Sequence, residues 1–223
     1  IYKLPSSSAA PTSPASAKPT SEESTSEGVK KVISSIKMKP VKIGDSITVG
    51  KNYYKITNTF GPRTGANAVP GRTDGEHSRG MDLVGFSADG NQSNIPIAIT
   101  DGVIKSVTLQ GSGKVINPKH GKEGGYIMEV QMPDGKIMKY MHLSPDAFKN
   151  KASLVGKPIK RGDILYEGDY SKGSGSQTGN HVKVSITSVD AAGNQLKDYD
   201  APENDPTTYA VYGRYLGRQE PTS

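Results

Sequence analysis

Apolar positions along this chain recur in short runs, and turn residues separate the runs. Residues 41–50 (VKIGDSITVG) and 52–60 (NYYKITNTF) alternate apolar with polar, the period of a half-buried strand. Further runs follow as MDLVGF (81–86), IPIAIT (95–100), GVIKSVTL (102–109), YIMEVQM (126–132), KIMKYMHL (136–143), DILYEG (163–168) and HVKVSI (181–186). Turn signals stand between them, among them Asp101-Gly102 and Pro133-Asp134-Gly135. No window holds the apolar repeat of a long helix. The expected class is therefore all-β: a mainly antiparallel sandwich or partly open barrel with little helix. One short amphipathic helix is expected at residues 29–36, where Val29, Val32, Ile33 and Ile36 have helical spacing.

The pattern also divides the chain. Residues 4–28 are almost all Ser, Pro, Ala, Thr, Glu and Lys, so they bury too little apolar area to offset their ordering entropy. The expected organisation is a disordered linker or tail at 1–28, an N-terminal extension of one helix and one strand at 29–52, a folded domain at 53–212 and a tail at 213–223. The first residue is Ile, which suggests a piece of a longer product whose upstream part would carry any targeting segment.

Composition refines this reading only slightly. Hydrophobic residues make up 33% of the 223, with no Trp, so the expected core is modest. There is no Cys, which excludes disulfides and Cys-based metal or nucleophile sites. No apolar run approaches 18 residues, so no membrane span is expected. A net charge of +6 suits an anionic partner such as a bacterial wall or an acidic protein. The basic stretches at 30–31 and 37–42 lack interleaved aromatics, so nucleic acid is not an expected partner.

The candidate chemistry lies with the histidines. His120, in the loop NPKHGKEGG, reads as a surface residue, whereas His77, His142 and His181 each sit at a strand end beside a turn segment. Asp82 joins them, and imidazole plus carboxylate is a zinc-type donor set. In chain order the sequence shows KITNTFGPR (55–63), HSRGMDL (77–83), IPIAITDGVIKSV (95–107), KYMHLS (139–144), GSGSQTGNHVKV (173–184) and DPTTYA (205–210). This succession resembles the lysostaphin/LytM-type peptidoglycan endopeptidases, with their H-x-G-x-D, Y-x-H-L-S and H-x-H motifs, over about residues 53–210.

The resemblance implies a zinc held by the His and Asp of H-x-G-x-D and by the second His of H-x-H. The remaining two histidines would polarise the attacking water. Carried over position by position, Asp82, His142 and His181 match. Ser78 and Lys183 stand at two metal-ligand positions, and His77 is one residue too early. Alternate strand residues face opposite sides, so His77 would ligate only through a bulge. The expectation is a degenerate domain with no metal cofactor, leaning to no enzymatic activity, in which Lys183 pairs with Asp82 and Ser78 hydrogen-bonds nearby. Its expected roles are peptidoglycan binding or a structural part of an assembly. The setting would be a phage tail or virion, or the bacterial periplasm and envelope, with tail or envelope proteins as partners of the N-terminal segment.

The alternative is an active zinc endopeptidase using His77, Asp82 and His181 as ligands and His142 as base. Arg63 and Tyr140 are candidate groove residues; the simpler reading is that Arg63 holds a turn or a core carboxylate and that Tyr140 serves packing. Gly173, Gly175 and Gly179 read as serving the backbone geometry of their loop.

Overall fold

The computed structural model describes residues 42–62, 77–109, 115–117, 121–122, 125–170, 180–207 and 209, with the backbone alone at 62, 77–78, 115–117 and 121–122. The expected linker and the helix at 29–36 lie outside the described residues. Eight strands form one antiparallel sheet: β1 (Ser46–Val49), β2 (Asn52–Asn58), β5 (Met81–Phe86), β6 (Gly102–Leu109), β9 (Tyr126–Gln131), β10 (Ile137–Leu143), β11 (Pro158–Ile159) and β12 (Val182–Thr187). Their spatial order is β1-β2-β5-β12-β10-β9-β6-β11. Two short ladders pair β3 (Gly61–Pro62) with β4 (His77–Ser78), and β7 (Val115–Asn117) with β8 (Gly121–Lys122). The fold is all-β and mainly antiparallel, as the alternation implies.

Residues at the sheet's two edges approach one another. Arg161, just after β11, donates through Nη2 to the carbonyl of Thr48 in β1 at 2.8 Å and through Nη1 to Ile99 at 2.6 Å. A Cβ built on Gly50 would lie 3.9 Å from the Gly162 Cα, so the chain approaches itself closely there. The sheet thus curls into a partly open barrel, and the charge-assisted hydrogen bond from Arg161 to Thr48 clasps its edge. Ile47 and Val49 of β1 are buried in the core. The strand expected inside the N-terminal extension is thus an integral edge of the sheet, and the folded body begins before residue 53.

The runs IPIAIT and DILYEG are corrections. They are not strands: a single bridge, Ile97 to Ile164, links them, and the chain bends at 99–100 and 165–168. Pro96 cannot donate to a ladder, and the neighbouring N–H groups are spent elsewhere. The Ile97 N–H donates to the Tyr54 hydroxyl at 2.7 Å and the Ile99 N–H to the Tyr140 hydroxyl at 3.0 Å. The Tyr170 hydroxyl likewise accepts from Gly85 at 2.9 Å, and that of Tyr166 accepts from Ser144 at 3.1 Å. These tyrosines do in a Trp-free core what ladder partners do elsewhere: they add apolar bulk and satisfy buried backbone donors. Burial pushes the Tyr170 hydroxyl up to about 12, so it stays protonated for its bond to the Ser93 carbonyl.

Two short helices, α1 (Pro145–Lys149) and α2 (Lys151–Leu154), follow β10. Ser144 caps α1, its hydroxyl accepting from the Asp146 N–H, and Pro145 occupies the first turn. Among the described residues no helix is long and apolar enough to cross a membrane.

Candidate functional site

The site follows from strand register. In β5 burial alternates strictly, with Met81 and Leu83 in the core, so Asp82 faces the other side of the sheet. The register pairs Asp82 with Lys183 of β12, Lys183 with Met141 of β10, and Asp82 with Asn58 of β2. Directly opposed residues share a face. One row, Asn58, Asp82, Lys183 and Met141, therefore crosses four strands, and His181 stands two residues before Lys183 on the same side. Part of this face is covered by the segment after β12, where Gln195 donates to Glu129 at 2.8 Å and Lys139 to the Tyr199 hydroxyl at 3.2 Å.

His142 reaches the row by a backbone irregularity. The pairing of β10 with β9 slips between Tyr140 and Leu143, a β-bulge. At His142 φ is +67°, the one non-glycine residue with positive φ among the described residues. That conformation costs a residue with a Cβ about 1–2 kcal/mol. The ring is brought edge-on to His181, with centroids 5.1 Å apart and planes at 76°.

Gly80 has a steric reason to be glycine. A Cβ there would lie 2.4 Å from the Val184 carbonyl oxygen and 3.2 Å from Cε of Lys183. The Lys183 stem thus runs over the backbone at Gly80. Its Nζ lies 3.9 Å from Asp82 Oδ1, and His181 Nε2 lies 3.8 Å from Asp82 Oδ2. Asn58 Nδ2 donates to Oδ2 at 3.2 Å. The three side chains are largely enclosed, with 18% of Asp82, 16% of His181 and 22% of Lys183 exposed.

The structure thus gathers Asp82, His142, His181 and Lys183 from three strands far apart in sequence. Tyr140 is a correction: it opposes Val184, so it faces the core, is 1% exposed and accepts from Ile99 there. It does not line the groove. The backbone of His77 lies opposite Pro62 and that of Ser78 opposite Gly61, while their side chains lie outside the described residues. Arg63, His120, Gly173, Gly175 and Gly179 lie outside them too. Asn58 was not singled out from sequence. It ends an ordinary alternating run, and only the slipped register between Ile56 and Asn58 turns it to Asp82.

A zinc centre needs three or four neutral or anionic donors. Among the described residues no three such side chains are grouped for a metal. The cation paired with Asp82 Oδ1, at 3.9 Å, is the Lys183 ammonium, which does not ligate while protonated. The described donor set does not fit a zinc ion.

No family model matches the chain, and no curated protein matches it either. Solved structures with a similar fold include a variant of the catalytic domain of the prophage-encoded M23 protein EnpA from Enterococcus faecalis. It is 18% identical, with 67% of this chain and 91% of that chain covered and a TM-score of 0.40. A chain of the SpoIIIAH and SpoIIQ complex is 18% identical, covering 70% of this chain and 94% of its own, with a TM-score of 0.34. A chain of the SpoIIQ–SpoIIIAH pore-forming complex is 21% identical, covering 64% and 80%, with a TM-score of 0.33.

Proposed function

We propose that this chain is a lysostaphin/LytM-type domain whose groove works without a catalytic metal, as a binding or assembly part at the bacterial cell wall. The observation that carries the reading is the meeting of Asp82, His142 and His181 on one face. These are the three metal-ligand or catalytic positions of the family's motifs that the sequence keeps, and Lys183 lies where the pattern has a ligand histidine. Such a groove presents an ammonium and imidazole nitrogens toward the carbonyls and carboxylates of short wall peptides. It supplies no activated water for cutting them. The net charge of +6 favours the same anionic polymer.

The test is cosedimentation of the full chain with purified peptidoglycan sacculi, alongside release of soluble wall fragments with and without added zinc. Binding without fragment release supports the reading. Zinc-dependent release would return the chain to the endopeptidases, and no binding would remove peptidoglycan as its ligand.

A further inference from the structure

Asp82 divides its needs unequally between its two oxygens. Oδ2 accepts from Asn58 and faces His181. Oδ1 is buried, and no hydrogen-bond donor among the described residues reaches it. A carboxylate in that state requires a nearby cation, since an uncompensated buried charge is costly. The cation beside it is the Lys183 ammonium at 3.9 Å. Two features hold it there. The register makes Lys183 and Asp82 direct cross-strand partners on one face, and the bare backbone of Gly80 leaves the channel along which the lysine stem runs.

We propose that Lys183 is a built-in counter-cation that excludes divalent metal from the Asp82 carboxylate on this face. The ammonium neutralises Asp82 from within the chain, and it would repel a doubly charged ion approaching the same oxygen. An imidazole at that position is shorter, neutral and a zinc donor. It would face Asp82 across the ladder with His181 already 3.8 Å from the carboxylate. The inference concerns the charge of the site and stands apart from what the groove binds.

The experiment is a calorimetric zinc titration of the full chain at pH 7.5, with melting followed by circular dichroism, for the wild type, K183H, K183H/D82N, K183M and K183M/D82N. K183H should take one zinc per chain on the order of 100-fold more tightly than the wild type, and zinc should raise its Tm. Adding D82N should abolish that gain. A folded K183H that binds zinc no better than the wild type overturns the proposal, as does one-to-one wild-type binding as tight as that of K183H. K183M removes the ammonium and adds no donor, so it decides the counter-cation role even where K183H fails to fold. Its Tm should fall below wild type, and D82N should recover most of the loss. An unchanged Tm in K183M overturns that role.

Discussion

The left-handed backbone at His142 makes a prediction that separates strain from side-chain contact. Replacing His142 by Ala and by Gly removes the imidazole, and with it the edge-on packing against His181, from both variants alike. The two variants then differ only in what a Cβ costs at φ +67° and in what glycine costs the unfolded chain. A Cβ in that region costs about 1–2 kcal/mol. The wider freedom of glycine in the unfolded state takes back roughly 0.5–1 kcal/mol. The expected balance favours H142G over H142A by about 0.5–1 kcal/mol, a two- to fivefold difference in the folding equilibrium constant. Urea unfolding followed by far-ultraviolet circular dichroism reads this as a higher midpoint for H142G at a shared slope. H142A as stable as H142G, or more so, would refute the strained bulge. His142 would then lie in an ordinary conformation with no backbone cost attached to its position.

Two further predictions come from neighbouring features. Gly80→Ala places a Cβ 2.4 Å from the Val184 carbonyl oxygen, so β5 and β12 must shift. A loss of about 1–3 kcal/mol or more is expected by urea unfolding, and an unchanged midpoint would contradict the close approach. Burial pushes the Asp198 carboxyl up, but hydrogen bonds from Ser188, Asn204 and Thr187 outweigh it and hold the group well below the usual carboxylate range. A depressed folded-state pKa means stability that is present above the unfolded value of about 4 and is lost as pH falls below it. D198N should therefore be less stable than wild type at pH 6 and should show a shallower loss between pH 4 and 2. A parallel acid limb would show that Asp198 plays no part in it.

The sheet was legible because its strands are short, alternating and punctuated by turns that a local reading recognises. The hairpin at 133–135 is typical: Gly135 has φ +86°, a conformation glycine adopts at no steric cost, and its N–H closes the turn onto Met132. The misreadings at IPIAIT and DILYEG arose where apolar runs bend and share one bridge with each other in place of a strand ladder. Nothing local says that the N–H groups of Ile97 and Ile99 belong to tyrosine hydroxyls some forty residues away. The short helices were missed for a different reason. Ser144-Pro145 is a readable start signal, but nine helical residues with Phe148 exposed carry little amphipathic pattern.

The candidate site was readable to the extent that it rests on motif order, and it became opaque where it depends on register. Asp82, His142, His181 and Lys183 stand out because each occupies a place in a succession of motifs. Which of them touch is decided by pairings that the sequence does not state. Tyr140 and His142 are two residues apart, so a regular strand would put both on one face. The bulge between Tyr140 and Leu143 breaks that parity, sending the tyrosine into the core and the histidine to His181. Asn58 is turned toward Asp82 by the same kind of slip in β2. Both irregularities fall on the strands that flank the Asp82–Lys183 pair, and both place polar side chains around it. A regular ladder would be the more stable backbone here. The two slips are the price of a polar cluster gathered on an otherwise ordinary sheet, which is why the functional reading rests on this face and on no other part of the barrel.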